Sequence, residues 1–324
     1  MIVLTRSETQ GLLTLEEFVP AVESAFRERG RARGLEAKRF HVLAGDGAFH
    51  ITAGGVGDEA GRPSFGIKIN GRYPPAAPGS GQRVSGAILL ADATSGQPLA
   101  LLDSLVVTIM RTAAVTAIAV RHLAPAGSRA ALLVGAGTQA EMQIAALELA
   151  APIETLAVYD LIVDKAEALV QRARDRGVDA RVVVDIDQAA AESDIVVTVT
   201  PARAPILNRL PKGALIVAVG ADEPGKRELG PEILVQSKVV VDVLDQAAYA
   251  GELSSAIKDG SMTSKDVYAE LGEIVAGVKP GRTSADDTFV LDATGTAMQD
   301  VAASLLLIEA GRRDGRGTEI HLGH

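Results

Sequence analysis

The feature that most constrains the fold is a repeated alternation of short aliphatic runs and helical stretches that begins near Ala130. The aliphatic runs are residues 131–134, 156–159, 182–184, 195–199, 215–219 and 239–243. Strands that alternate with helices in this way form parallel sheets with helices on both faces. The sequence therefore predicts an α/β domain built on a doubly wound parallel sheet.

The first part of the chain has a different pattern. Thr14 and Glu17 have the spacing of a capping box, which predicts a helix to about Arg33. Short apolar runs at 41–44, 49–53, 65–69, 87–90 and 98–102 predict an antiparallel sheet, and the Pro-rich segment 71–81 predicts irregular structure. Residues 105–123 and 296–312 predict helices. We expect a smaller α+β domain at 1–118, completed by the C-terminal helix in 296–324, and a second domain at 119–295.

Composition excludes several classes of function. The chain has 41 acidic and 32 basic residues, a formal net charge of -9, which disfavours binding to nucleic acid. It has no cysteine, and its five histidines are scattered, so no metal site is expected. No targeting segment is evident, and no apolar run approaches the ~20 residues that span a bilayer. These observations predict a cytoplasmic protein without a membrane or nucleic-acid partner.

A glycine motif follows the first strand of the parallel sheet. The segment reads GAGTQA at 135–140, a GxGxxA pattern at the start of a helix, and Asp160 ends the next strand. This context predicts a Rossmann-type domain that binds a dinucleotide, although a glycine turn without a nucleotide remains the alternative. No arginine follows Asp160 to receive a 2′-phosphate, so NAD is favoured over NADP. The candidate cofactor residues are Gly135, Gly137, Thr138, Gln139 and Asp160.

Three charged residues are candidates for the chemistry. Arg111 is the one charge embedded in an apolar helix, so it either reaches an anion in a cavity or pairs with an acid of its own domain. Lys68 is the central charge of a strand, where a solvent-facing position is the plain alternative. Asp222 follows a parallel strand, at the edge where ligands bind, although turn aspartates are also common there.

Five segments together resemble the ornithine cyclodeaminase/mu-crystallin family, in the family's order and over essentially the whole chain. They are RTAA at 111–114, GAGTQA at 135–140, DIVVTVTP at 194–201, GADEPGKREL at 220–229 and ELGEIVAG at 270–277. The resemblance implies a homodimer. Its first domain, with the C-terminal helix, carries substrate binding and the dimer interface, and its second domain is the Rossmann domain.

The resemblance also implies roles for individual residues. Arg39, Lys68 and Arg111 match the basic residues that hold the carboxylate of a small amino or imino acid. Asp222 matches the acid/base residue, and Asp222 and Lys68 are the expected catalytic pair. Gly295 matches a segment near the nicotinamide, and Thr112, Thr200 and Gly220 complete the expected cofactor residues.

One position departs from the family's cyclodeaminases. His50 stands where those enzymes place a glutamate that handles the side-chain amine of ornithine, so it is either a plain sheet residue or a contact for another substrate. The expected function is an NAD(H)-dependent oxidoreductase that acts on the CH–NH2 or C=N group of a small α-amino or α-imino acid. The alternatives are ornithine cyclodeaminase, which forms proline and ammonia with recycling of NAD, and a non-catalytic nucleotide-binding sensor.

Overall fold

A computed structural model describes residues 1–32, 35–57, 63–74, 83–209 and 212–322. The chain divides into two compact units, the first comprising Met1–Ala114 with Thr296–His324 and the second Val115–Gly295. The division therefore falls at residues 114 and 115, slightly before the boundary at 118 that the sequence predicts.

The strands are, in chain order, β1 (Ile2–Leu4), β2 (Leu35–Ala44), β3 (Gly47–Gly57), β4 (Pro63–Tyr73), β5 (Arg83–Asp92), β6 (Pro98–Asp103), β7 (Ala130–Val134), β8 (Thr155–Tyr159), β9 (Asp179–Val182), β10 (Ile195–Thr198), β11 (Leu215–Ala218), β12 (Lys238–Val241), β13 (Ala269–Glu270), β14 (Phe289–Asp292) and β15 (Thr318–Glu319). The helices are α1 (Arg6–Thr9), α2 (Leu15–Gly30), α3 (Ser104–Leu123), α4 (Ala140–Ala150), α5 (Val163–Arg174), α6 (Ile186–Ala191), α7 (Pro231–Val235), α8 (Leu244–Tyr249), α9 (Glu252–Asp259), α10 (Leu271–Val275) and α11 (Ala297–Arg313).

The first unit is a mostly antiparallel sheet with helices on one face. Its strands run in the order β15-β1-β6-β5-β4-β3-β2, and only β1 and β6 pair in parallel. Helix α2 begins with the predicted capping box, since the Glu17 carboxylate accepts the Thr14 backbone N–H at 2.8 Å. The segment 71–81 is partly misjudged by the sequence, because β4 continues to Tyr73, while 75–81 lies outside the described residues.

Helix α11 packs against α2 and on β3, β4 and β5. Small residues of the sheet allow this close approach. A Cβ on Gly66 would lie 2.6 Å from Val301 Cγ2, and one on Gly54 would lie 3.1 Å from the Ala297 Cβ. A Cβ on Gly66 would overlap Val301, and one on Gly54 would lie closer to Ala297 than packed atoms normally do. The glycines therefore let α11 lie directly on the strands that carry Lys68 and its neighbours.

The second unit is the predicted doubly wound domain. Its strands run in the order β13-β12-β14-β11-β10-β7-β8-β9, and every pairing among them is parallel. The chain first builds β7, β8 and β9 outward and then returns to place β10 on the other side of β7. This reversal is the topological switch point at which such sheets bind ligands.

Two details of the parallel sheet differ from the prediction. Strand β9 comprises Asp179–Val182 rather than residues 182–184, and the sequence pattern does not predict β13 or β14. Helix α3 has the length and apolar composition of a membrane span, although it is mostly buried within the protein. The expectation that no apolar run approaches this length is therefore wrong, and burial in the core accounts for the composition of α3.

Candidate functional site

The cross-strand register of the first unit places candidate residues in one row. Arg39 of β2 pairs with Thr52 of β3, and Thr52 pairs with Lys68 of β4. Residues that pair directly across neighbouring strands point to the same face of a sheet. Arg39 and Lys68 therefore share the face on which α11 packs, and the solvent-facing alternative for Lys68 is wrong because only 7% of its surface is exposed.

A single carboxylate of α11 joins Lys68 to Arg111. The Lys68 Nζ lies 2.6 Å from Asp300 Oδ2, and the Arg111 Nε donates to Asp300 Oδ1 at 3.1 Å. The Arg111 Nη1 donates to Gln299 Oε1, also at 3.1 Å. All three charged groups are buried. Arg111 thus pairs with an acid of its own unit, which was the alternative to an anion in a cavity.

The charges of this cluster do not balance. Two buried cations share one carboxylate. The pKa of the Lys68 ammonium is lowered to about 8, chiefly by burial and also by Arg111 and Arg39, while Asp300 opposes the shift. Excess charge in a buried place is costly unless a counter-ion compensates it. Of the five N–H donors of Arg111, two are used by Asp300 and Gln299. The cluster is therefore suited to bind an additional anion.

His50 lies in the neighbouring row on the same face. It pairs with His41 of β2 on one side and with the buried Asn70 of β4 on the other. The ring centroids of His41 and His50 are 4.6 Å apart, so the description of the histidines as scattered is wrong for this pair. Asn70 Oδ1 in turn accepts the Ser104 hydroxyl at 2.5 Å. His50 thus lies diagonally across from Lys68 on the same face of the sheet.

Thr112 follows Arg111 in α3 and belongs to the first unit. Its hydroxyl donates to the Thr108 carbonyl at 2.7 Å, one turn earlier in the same helix. Such a bond within the helix satisfies the hydroxyl proton without a ligand. The contacts of Thr112 are therefore those of a buried helix residue, and its expected role with the cofactor stays a prediction.

In the second unit, the glycine motif forms the turn between β7 and α4. Gly135 has φ +110°, and a Cβ there would lie 2.8 Å from the Val199 carbonyl oxygen, so only glycine fits. Gly137 and Thr138 are exposed, and a Cβ on Gly137 would meet open space. Gln139 precedes the first residue of α4, and its buried Oε1 has no hydrogen-bond partner among the described residues. A helix start leaves N–H groups without partners in the helix, so a turn of this kind is suited to bind an anion.

Asp160 holds this turn in place. Its carboxylate accepts the Ala136 N–H at 2.7 Å through Oδ2 and the Ile162 N–H at 2.8 Å through Oδ1. A carboxylate has about four acceptor positions, so both oxygens keep capacity for further donors. Leu161 and Ile162, which follow it, are exposed apolar residues. Asp160 is therefore a structural residue of the turn and is also placed at the carboxyl end of β8.

The loops after β10 and β11 are tied together by Glu228, which the sequence reading did not single out. Its buried carboxylate accepts the Thr198 hydroxyl at 2.8 Å, the Thr200 N–H at 2.7 Å and the Gly220 N–H at 2.9 Å. Burial raises the pKa of Glu228, and the bonds from Thr200 and Thr198 oppose that shift. Thr200 and Gly220, both expected cofactor residues, are thus fixed side by side at the switch-point edge of the sheet.

Asp222 and Gly295 also lie on loops at this edge. The Lys226 Nζ donates to Asp222 Oδ1 at 2.7 Å, within the loop that Glu228 closes. An adjacent ammonium stabilises the ionised form of a carboxylate. The N–H of Gly295, the third residue after β14, donates to Asp242 Oδ2 at 2.6 Å. The ion pair with Lys226 is a feature of Asp222 that the sequence reading missed, although both residues lie in the GADEPGKREL segment.

Comparison with known proteins identifies the family. The model of the ornithine cyclodeaminase/mu-crystallin family matches residues 1–313. The chain belongs to this family. An alanine dehydrogenase from Archaeoglobus fulgidus is 33% identical over 321 residues, which cover 98% of both proteins. Family membership and the parallel and antiparallel sheets confirm the predicted family and fold class.

Two solved structures of similar proteins contain the nucleotide. An archaeal alanine dehydrogenase dimer with bound NAD has a TM-score of 0.93 and 32% identity, and the match covers 100% of this chain and 99% of that one. The Δ1-pyrroline-2-carboxylate reductase of Thermococcus litoralis, in complex with NADH and L-proline, has a TM-score of 0.89 and 28% identity, with coverage of 99% and 100%.

Proposed function

We propose that this family member is an NAD(H)-dependent oxidoreductase that interconverts a small α-imino or α-keto acid and the corresponding α-amino acid. The observation that carries the proposal is the pair of buried cations, Lys68 and Arg111, that share the one carboxylate of Asp300. A substrate carboxylate brings the missing negative charge and two acceptor oxygens. The names of the similar dehydrogenase and reductase support the same class of reaction.

In this proposal, Lys68 and Arg111 bind the α-carboxylate and thereby fix the position of the α-carbon. Arg39 lies on the same face and assists them. Holding the reacting carbon in a single orientation removes much of the entropic cost of the reaction. His50, one row away, contacts the side chain of the substrate.

The nucleotide is NAD(H), with NADP(H) disfavoured. The Gly135 turn, the exposed Gly137 and the start of α4 fit a pyrophosphate, and Asp160 has acceptor capacity for the ribose hydroxyls. A 2′-phosphate would meet the Asp160 carboxylate without a compensating arginine. NAD(H), when bound, accepts or supplies the hydride, and Thr200, Gly220 and Gly295 belong to loops that shape its site.

Asp222 moves the proton at the substrate nitrogen. Its neighbour Lys226 stabilises the ionised carboxylate, which is the form that accepts a proton when an amino acid is oxidised. In the reverse direction, the protonated Asp222 returns the proton to the nitrogen of the reduced imine. The loop closed by Glu228 keeps this carboxylate next to the end of β11.

We further infer a cytoplasmic homodimer. The sheet of the first unit has helices on one face, and the other face exposes apolar side chains, including Phe40, Val42, Phe49, Ile69 and Leu89. Exposed apolar patches of this kind mark sites of association. The alanine dehydrogenase of similar structure is itself a dimer.

One experiment separates the candidate activities. The purified protein is incubated with NAD and a panel of amino acids, and in reverse with NADH, ammonia and keto acids or cyclic imino acids. Net formation of NADH marks the proposed dehydrogenase. Release of ammonia from a diamino acid without net NADH marks a cyclodeaminase, and tight NADH binding without turnover marks a sensor. Either of the last two results would contradict the proposal.

A further inference from the structure

We propose that Asp300 is a positioning residue that holds Lys68 and Arg111 together as a preformed receptor for a carboxylate. The inference rests on the proposed function, because it assigns the binding of the substrate carboxylate to these two cations. Asp300 is buried on α11, whereas its two partners lie on β4 and α3. One side chain of the C-terminal helix therefore joins two elements that lie far apart in the sequence.

Each oxygen of the Asp300 carboxylate contacts a different cation. Oδ2 lies 2.6 Å from the Lys68 ammonium, and Oδ1 accepts the Arg111 Nε–H at 3.1 Å. The preceding residue, Gln299, accepts a second N–H of the same guanidinium. Two consecutive residues of α11 thus fix both the position and the plane of the guanidinium, while Arg111 keeps donors for a ligand.

The packing of α11 on the sheet determines the position of Asp300. Ala297 lies over Gly54 of β3, and Val301 lies over Gly66 of β4, two residues from Lys68. Ala297, Asp300 and Val301 have the i, i+3, i+4 spacing of one helix face. The two glycines allow this face to approach the sheet closely enough for the short Asp300 side chain to reach Lys68.

The electrostatics give Asp300 a second effect. The charged or titratable groups around Lys68 on the described elements are Arg39 of β2, His50 of β3 in the next row, Arg111 of α3 and Asp300 of α11. Arg39 and Arg111 favour loss of the Lys68 proton, as does burial, and Asp300 opposes all three. Asp300 therefore keeps Lys68 charged and able to bind a carboxylate near neutral pH.

The test replaces Asp300 with asparagine, which keeps the size of the side chain and removes its charge. The pKa of Lys68 is read by NMR of ¹³Cε-labelled lysine in the full-length protein, with the resonance assigned by its loss in Lys68→Arg. The pKa of Lys68 is about 8 in the wild type, and we expect it to be lower in Asp300→Asn. The alkaline limb of the kcat/KM profile should move to lower pH in parallel.

The kinetic effect should fall on the amino acid substrate. Its KM should rise roughly tenfold to a hundredfold at pH 8, since charge-assisted bonds to the carboxylate are lost, and the rise should be smaller at pH 6. The dissociation constant of NADH should not change. Glu309→Gln, an exposed acid on the same helix, is the matched control and should behave as wild type.

Asp300→Glu keeps the negative charge but displaces it by one methylene. It should keep Lys68 protonated near neutral pH and still raise the KM of the amino acid. This variant therefore distinguishes the effect of the charge of residue 300 from the effect of its position. An unchanged Lys68 pKa and unchanged pH profile in Asp300→Asn would overturn the proposal, even if the melting temperature falls. Absence of any amino or imino acid turnover in the wild type would instead contradict the proposed function, while the NMR titration would still test Asp300.

Discussion

At the scale of single residues, Asp222 combines two roles that one substitution can separate. It forms an ion pair with Lys226 across one turn of a loop, which is a structural contact. In the proposed reaction, the same carboxylate exchanges a proton with the substrate nitrogen. A structural role predicts a loss of stability when the charge is removed, whereas an acid/base role predicts a loss of turnover.

We expect Asp222→Asn to lower kcat by about 10² to 10⁴, because a positioned acid/base group contributes a factor of that size. The dissociation constant of NADH should stay within about twofold, since asparagine keeps the size of the side chain. Asp164→Asn, an exposed acid at the start of α5, is the control. A variant that melts at lower temperature but turns over near the wild-type rate would remove Asp222 from the mechanism.

The sequence could predict the cations of the candidate site but not the acid that joins them. Arg111 stands out because it is a charge within an apolar helix, and Lys68 because it is central in a strand. Asp300 gives no such signal, since an acid in the first turn of a helix is common and favoured by the helix dipole. Its partner Arg111 is 189 residues away in the chain, and only the folded structure brings them together.

At the scale of elements, the turn between β7 and α4 depends on Asp160 in two ways. The carboxylate accepts the N–H groups of Ala136 and Ile162, and in the proposed function it also receives the ribose hydroxyls. The first role stabilises the turn with or without a nucleotide. The second discriminates against a 2′-phosphate by charge, so the two roles have different consequences for cofactor choice.

The wild type should prefer NADH to NADPH by roughly tenfold or more in kcat/KM, about 1.4 kcal/mol. Asp160→Ser should narrow this ratio because the opposing charge is gone, and it should also lower the melting temperature by loss of the two backbone contacts. Asp185→Ala is the control, since Asp185 caps α6 by accepting the Gln188 N–H and alanine removes that bond. The control should lose stability and keep the cofactor ratio. Equal efficiency with both cofactors in the wild type would contradict the assignment.

The elements that the sequence missed are those with the weakest local pattern. β14 has the sequence FVLD, in which only three consecutive residues are apolar, yet it lies between β11 and β12 in the parallel sheet. Its position there depends on pairings that no local pattern encodes. β9 lies at the edge of the sheet, and its residues alternate between exposed and buried, which allows the exposed Arg181 to be part of the strand. The apolar residues that follow Val182 do not continue the strand. Uninterrupted aliphatic runs such as β7 and β11 were predicted within a residue of their bounds.

At the scale of the whole molecule, the chain divides into two compact units at a point that the sequence does not mark. The C-terminal helix belongs to the first unit. The boundary at Ala114 and Val115 falls inside α3, whose residues are buried on both sides of that point. Because an apolar helix continues without a polar linker, the sequence offers no local mark for the boundary.

The outer face of the first unit's sheet provides the test of the proposed homodimer. Ile69 lies between Ile51 and Ala87 in one cross-strand row that also contains the exposed Phe40. A two-fold interface uses the same surface of both subunits, so one substitution changes the interface at two places. A glutamate at position 69 would bury two unpaired charges, which costs several kcal/mol.

We therefore expect wild-type protein to sediment at twice the mass of the chain and Ile69→Glu to sediment as a monomer at micromolar concentration, with a dissociation constant raised at least about a hundredfold. Val184→Glu, an equally drastic change at an exposed apolar residue of the second unit, is the control and should remain dimeric. A circular dichroism spectrum and a melting transition like those of the wild type would establish that Ile69→Glu is folded, because NADH binding at residues 135–140 reports on the second unit alone. If the folded variant keeps the wild-type dimer affinity, this face does not form the interface, and the dimer must use another surface.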